Sequence, residues 1–306
     1  WNGREFDEKR AEARRAMIRT AEATLSCKFD GEPLIVGTSG RYEFRNKGID
    51  IFLDALKQLA ETDALDREVL VYITVPSATT GPRKDLQAHL ADENSPIDPK
   101  QNRFCTHYLE HPEWDQILNS IAGSVLANPS SKVKVVFVPT YLNGRDGIFD
   151  KSYYELLVGM DMTLFPSYYE PWGYTPLEST AFSVPTLTTT LAGFGLWAGS
   201  QGEHEGVTLV ARNDDNYAEA AREIAKALLH FTKYTPQEVE IARNAAAELS
   251  RTALWSELYA AYEKAYSEAI ERSVTRTNRA VLNDGGGTTE QINFVRQQLI
   301  TEKPHW

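Results

Sequence analysis

TLFPSYYEPWGYTPLESTAFSVPTLTTT, residues 163–190, is the stretch that decides the fold. Its first three residues are apolar, too few for a helix, and are closed by Pro166, which predicts a short buried strand. A second β-rich run occupies residues 186–190. Between the two runs lie an aromatic loop and a segment with a helix-start signal. The stretch therefore predicts strand, loop, helix and strand, the repeating unit of a parallel α/β sheet.

The predicted helix begins at a capping box. Thr175 stands where an N-cap residue is expected, Pro176 at the first helical position and Glu178 at the position that completes the box. A helix start after the carboxyl end of a parallel strand is a common place for phosphate and other ligands.

Two acids lie in this stretch, Glu170 in the loop and Glu178 in the helix. Glu178 is open to a plain reading as a capping residue, and a lone loop glutamate is by default a solvated surface acid. The aromatic neighbours Tyr169 and Trp172 favour a different role for Glu170. We expect its carboxylate to face a ligand among the rings.

The overall composition narrows the class of partner. The chain has 306 residues, 42% hydrophobic and 25% charged, with a formal net charge of −11. That charge argues against a general nucleic-acid or anionic-membrane binder. Cys27 and Cys105 have no metal-ligand spacing and suggest reduced thiols. With no signal peptide or membrane-spanning run in the sequence, we expect a cytoplasmic location, and the termini suggest a fragment of a longer protein.

Five further apolar or β-rich runs alternate with helical patterns. Together with residues 163–165, the predicted strands are 34–37, 69–75, 133–138, 186–190 and 207–210. This alternation predicts a Rossmann-like α/β fold, a doubly wound parallel sheet with strand order 3-2-1-4-5-6.

Three segments are expected along the chain. Residues 1–30 read as a leading helical segment on the surface, and residues 31–272 as the Rossmann-like domain with its C-terminal helices. Residues 273–306 read as a linker and tail because the chain turns polar and includes three consecutive glycines. Within the domain, residues 76–102 form a polar excursion, and residues 112–126 a helix with Trp114 on its apolar face.

The loop after the first strand supplies positive charge. Its sequence, TSGRYEFRNKG at residues 38–48, places Arg41 and Lys47 between two glycines at a strand-to-helix turn. It matches neither G-x-G-x-x-G nor the P-loop pattern, so a solvated basic loop remains an alternative. In the predicted order strands one and four are neighbours, which brings this loop close to Glu170 and Glu178. The combination suits a nucleotide diphosphate bearing a sugar.

RYEFRNKG at residues 41–48 and FPSYYEPWGYTPLE at residues 165–178 closely resemble glycogen synthase of the animal and fungal type, glycosyltransferase family 3. The resemblance covers about residues 31–272. It implies the C-terminal, donor-binding half of a GT-B enzyme, which transfers glucose from UDP-glucose to the non-reducing end of an α-1,4-glucan with retention and without metal or other cofactor. The partners implied are the sugar nucleotide, the glucan acceptor and an N-terminal domain of the parent protein.

The resemblance also implies residue roles. Arg41 and Lys47 would hold the diphosphate, which the segment of Gly173, Tyr174 and Thr175 would cap. Tyr153 would stack on uracil, Glu178 would bind ribose hydroxyls, and Glu170 would be the catalytic carboxylate at the transferred sugar. Two rival readings stay open: an ADP-glucose-dependent starch or glycogen synthase (or another retaining hexosyltransferase), and a silent nucleotide-binding domain.

Overall fold

The computed structural model describes residues 3–98, 103–202 and 204–283. The chain divides into two compact units, residues 1–251 and residues 252–306. The strands of the first unit are β1 Leu34–Ser39, β2 Val69–Thr74, β3 Thr79–Pro82, β4 His107–Leu109, β5 Val133–Val138, β6 Met162–Phe165, β7 Thr186–Thr189 and β8 Val207–Val210.

Six of these strands form one parallel sheet in the order β5-β2-β1-β6-β7-β8. Numbered as the six predicted strands, this is 3-2-1-4-5-6, so the predicted doubly wound topology is confirmed. The order reverses between β1 and β6, which are paired with Gly37 opposite Thr163. Open α/β sheets bind ligands outside such a switch point, at the carboxyl ends of the strands.

Helices of the first unit cover both faces of the sheet. The helices of this unit are α1 Gly3–Leu25, α2 Ile49–Glu61, α3 Lys84–Ala91, α4 Gln116–Ala122, α5 Tyr153–Leu157, α6 Tyr174–Ala181, α7 Gly193–Ser200, α8 Tyr217–Phe231 and α9 Pro236–Arg251. The second unit contains α10 Trp255–Asn283. None of the helices in the described ranges is long and apolar enough to cross a membrane.

Strand residues alternate between two hydrophobic cores. Val36 and Val71 point into the core beneath α2 and α8, whereas Ile35 and Leu70 point into the core that includes residues of α1 and α5. Because both faces of the strands are covered, each strand reads as a continuous apolar run rather than an alternating one. That is why the apolar runs located the strands.

The structure adds detail to one expectation in the middle of the chain and corrects another. The polar excursion contains β3 and α3, and β3 pairs antiparallel with β4. The helix expected over residues 112–126 is divided into a 3-10 turn at Pro112–Trp114, α4, and a second 3-10 turn at Val125–Ala127. Asp115 caps α4 by accepting a hydrogen bond from the Leu118 amide. This new start leaves Trp114 outside the apolar face and 73% exposed.

The leading helix α1 was expected to lie on the surface as a separate segment. It instead belongs to the first unit. Arg14 and Arg10 on α1 both bond the carboxylate of Asp161 at the start of β6, and that carboxylate also accepts the Ile35 amide at 2.8 Å. Burial alone would raise the pKa of Asp161, but the two guanidinium groups outweigh it and lower the pKa. An ion-pair cluster therefore fastens α1 to the sheet.

The second unit differs from the linker expected from residue 273 onward. Helix α10 continues through that point to Asn283. Within α10, Trp255 and Tyr262 lie with ring centroids 5.8 Å apart. The glycine run at residues 285–287 and the rest of the expected tail lie outside the described residues.

We predict that Asp161→Asn destabilises the protein by about 3–5 kcal/mol, because it removes the buried carboxylate that both arginines share and leaves Arg14 with only the exposed Glu32. Urea unfolding measures the change. The control is Glu12→Gln. Glu12 also lies on α1, where its half-exposed carboxylate pairs with Lys151, and its loss should reduce the free energy of unfolding by under about 1 kcal/mol. Equal losses in the two variants would contradict a special role for the Asp161 cluster.

Candidate functional site

The loops after β1 and β6 meet through an ion pair at the switch point. Lys47 Nζ, from the loop after β1, bonds Glu170 Oε2, from the loop after β6. The side chains are only 18% and 23% exposed. The convergence expected from the strand order is therefore present for these two residues, one cation and one carboxylate at the mouth of the sheet.

Close backbone approach makes this meeting possible. The Tyr168 amide donates to the Asn46 carbonyl at 2.8 Å, joining the two loops beside the ion pair. Gly48 caps α2 with φ of 69°, and a Cβ there would overlap the Pro166 carbonyl oxygen. Glycine is required at this position both for its left-handed conformation and for the space.

The backbone around Glu170 is held on its other side by the start of α7. The Gly193 amide donates to the Glu170 carbonyl at 2.9 Å, and the Phe194 amide donates to the Trp172 carbonyl at 2.6 Å. A Cβ on Gly193 would overlap the Pro171 carbonyl oxygen. The loop carrying Glu170 is consequently fixed on both flanks.

The aromatic rings near Glu170 divide into two kinds. Trp172 packs against Phe194 and Trp197, with centroids 6.1 Å and 5.7 Å away, in a small hydrophobic cluster. It supports the loop from beneath. Tyr169 and Tyr174 are exposed. Of the two rings that were expected to face a ligand, Tyr169 is open to solvent, whereas the partly buried Trp172 packs in this cluster.

Helix α6 begins two residues earlier than the capping box indicated. Its N-cap is Gly173, with φ of 111°, and no side chain caps the helix. Thr175 is consequently inside the first turn and is not the N-cap. Gly173 can adopt the left-handed conformation that lets the helix start two residues sooner. Tyr174 and Thr175 carry first-turn amides that the helix itself cannot satisfy, whereas Pro176 has none.

Glu178 is not a capping residue either. Its Oε1 accepts a hydrogen bond from the Tyr154 hydroxyl at 3.0 Å. The exposed Tyr154 ring stacks on Phe182, with centroids 5.0 Å apart and planes 12° from parallel. The sequence reasoning missed Tyr154 because it carries no motif signal. Its position next to Tyr153 on a short helix was the available clue.

The two remaining predicted site residues behave differently. Tyr153 is half-buried and shares a hydrogen bond of 2.8 Å with Ser39 at the end of β1, and burial raises the pKa of its hydroxyl. Its ring thus reaches the edge of the switch point. Arg41 is exposed and pairs with its neighbour Glu43 at 2.9 Å.

Fold and site together define a doubly wound α/β domain in which two closely packed loops carry an ion pair at the switch point. Residues 93–304 match the family model described as glycogen synthase. The chain belongs to the glycogen synthase family.

The similar proteins agree with this membership. The chain is 28% identical to a glycogen [starch] synthase of Neurospora crassa over 80% of this chain and 43% of the relative. It is 28% identical to a glycogen [starch] synthase of Caenorhabditis elegans, over 77% of this chain and 43% of the relative. It is 27% identical to the liver form of Homo sapiens, over 89% of this chain and 46% of the relative. The matches thus span less than half the length of these curated relatives.

A solved glycosyltransferase from Rickettsia africae ESF-5 superposes with a TM-score of 0.42 and 16% identity, over 72% of this chain and 44% of that chain. The family membership accordingly rests on sequence.

Replacing Gly48 tests the close approach of the two loops. We predict that Gly48→Ala destabilises the protein by about 1–3 kcal/mol more than Gly144→Ala, since overpacking adds to the backbone strain. Gly144 is the matched control because its φ is 85° and a Cβ there meets nothing within 4 Å. Urea unfolding of both variants gives the difference. Equal losses would mean that the loops separate without cost.

Proposed function

We propose that this chain is the donor-binding, C-terminal half of a GT-B glucosyltransferase that extends an α-1,4-glucan from UDP-glucose. The observation that carries the proposal is the Lys47–Glu170 pair at the switch point of a glycogen synthase family domain. One group suits the leaving diphosphate and the other suits the transferred sugar, and a rigid backbone holds both.

The diphosphate end of the donor would meet Lys47 and the start of α6. Lys47 is paired with Glu170 in the structure. The diphosphate of a bound donor carries more negative charge than a carboxylate and would be a stronger partner for the lysine. The first-turn amides of Tyr174 and Thr175 lie beyond Gly173 and would cap the same phosphates. Arg41, exposed and paired only with its neighbour Glu43 in the contacts described, would swing inward to join them.

The nucleoside end would meet Glu178 and Tyr153. Glu178 has one oxygen on Tyr154 and a second oxygen that can accept from ribose hydroxyls. Tyr153 would offer its ring to the uracil base from the edge of β1, where Ser39 holds its hydroxyl. An adenine base is larger than uracil and would have to occupy the same surface. We therefore propose UDP-glucose as the donor, with ADP-glucose as the competing donor.

The chemistry would be a front-face displacement with retention. Lys47 and the α6 amides stabilise the leaving diphosphate, one of whose oxygens removes the proton from the acceptor hydroxyl. Glu170 stabilises the positive charge that develops on the transferred glucose. The positive charge supplied by protein groups makes a metal unnecessary in this scheme. The N-terminal half of the parent protein, which we place with this one in the cytoplasm, would supply the acceptor surface.

We predict that Lys47→Ala weakens UDP binding by roughly 1.5–3 kcal/mol, the range for a charge-assisted contact. Isothermal calorimetry in EDTA measures it on the parent protein, with ADP as the competing ligand. Arg45→Ala is the control, because Arg45 lies two residues away with a side chain 92% exposed. An unchanged UDP affinity in Lys47→Ala would refute the phosphate assignment.

The two glutamates should separate in steady-state kinetics of the parent protein. We predict that Glu170→Ala reduces kcat far more than it weakens donor binding, because its contact strengthens in the transition state. Glu178→Ala should mainly raise the KM for UDP-glucose. Glucan elongation from UDP-glucose is the assay, and the isolated chain should show none. The opposite split between the two variants, or elongation by the chain alone, would contradict the assigned roles.

A further inference from the structure

Arg212 follows β8 and is buried, only 6% exposed, at the same edge of the sheet as the proposed donor site. Its side chain reaches back past β7 to the loop after β6, where Nη1 donates to the Pro166 carbonyl. Pro166 is the first residue of the loop that carries Glu170. The guanidinium therefore fixes the point at which this loop leaves the sheet.

The same guanidinium supports the junction between the two loops of the site. Its central carbon lies 5.2 Å from the centroid of the Tyr168 ring. The Tyr168 amide is the group that donates to the Asn46 carbonyl, next to Lys47. A cation packed on an aromatic face adds attraction to simple contact. Arg212 thus contacts the residue that joins the Lys47 loop to the Glu170 loop.

Arg212 also faces the start of α2. Its Nη1 lies 3.1 Å from the place that a Cβ on Gly48 would occupy. Burial lowers the pKa of Arg212, and the charge of Asp50 in the first turn of α2 acts in the opposite direction. The position of the guanidinium is therefore set by groups from the loop after β6 and from the start of α2 together.

The backbone of Arg212 is tied to the segment that holds Glu170. Its amide donates to Thr190 Oγ1 at 3.0 Å, and that hydroxyl donates in turn to the Arg212 carbonyl at 3.3 Å. The next residue, Leu191, accepts the Glu170 amide at 3.3 Å. The side chain and the backbone of Arg212 consequently both help to fix the position of the loop that carries Glu170.

We propose that Arg212 is a positioning residue that sets the separation and orientation of Lys47 and Glu170 during glucosyl transfer, without touching the donor itself. The inference rests on the proposed function. Only a planar guanidinium can donate to the Pro166 carbonyl while it packs on the Tyr168 ring, so lysine cannot replace it.

The test compares Arg212→Lys with Arg14→Lys in the full-length parent protein. Arg14 is a matched control, since it is 9% exposed and bonds Asp161 at the opposite edge of the sheet. Both variants keep the charge and should lower Tm. We expect Arg212→Lys alone to lower kcat for UDP-glucose, by roughly tenfold to a hundredfold, because a small misplacement of reacting groups has an effect of that size. Measurements are made well below Tm.

A kcat for Arg212→Lys equal to that of Arg14→Lys would overturn the inference. If Arg212→Lys does not fold, Tyr168→Leu decides, because Tyr168 is 39% exposed and its replacement should affect folding less than a change at the buried Arg212. It should lower kcat severalfold with little change in Tm, and an unchanged kcat would again overturn the inference. A wild-type parent that transferred no glucose would instead refute the proposed function, and the inference with it.

Discussion

The pairing of β1 with β6 is the constraint on which the site depends. These strands are far apart in the sequence, and the reversal of strand order makes them neighbours. Parallel strands in one sheet end at the same edge, so the loops that follow them must diverge or pack against each other. Here they pack, and one charged side chain from each loop forms an ion pair with the other.

Under the proposed function, that ion pair would explain how an acidic chain could present a site for an anion. Removing a lysine ammonium and a carboxylate from water costs free energy that their attraction only partly returns. A mostly buried pair is consequently weak evidence for stability. The proposed function offers a reason for the pair, since Lys47 would exchange the Glu170 carboxylate for a phosphate oxygen of the donor. The net charge of −11 then matters little, since the positive charge is local.

The sequence predicted the sheet well because each strand is buried on two faces and so appears as a short apolar run. It also predicted that Lys47 and Glu170 lie together, since both follow strands that the topology makes adjacent. It failed where a single glycine changed the local geometry. Thr175 and Glu178 had the spacing of a capping box, but Gly173 lets α6 begin earlier and leaves Glu178 to Tyr154.

Other failures came from tertiary packing that no local pattern records. Trp172 looked like a ligand-facing ring but packs on Phe194 and Trp197. Arg212 follows the edge strand β8 and gave no signal, because its meaning depends on how far its side chain reaches across the sheet. Residues 273–283 read as linker by composition and are helical. Polar composition alone does not exclude a helix, since a solvated helix needs only one favourable face.

The glycines show why the two loops act as one rigid object. Gly48 and Gly193 both stand where a Cβ would overlap a carbonyl oxygen of the loop after β6, one on each side of Glu170. Backbone that is in van der Waals contact on both flanks cannot shift without breaking several contacts together. Under the proposed function, the carboxylate on this loop would have its position fixed before the donor arrives. Stabilisation of the charge that develops on the sugar would then require little reorganisation of the protein.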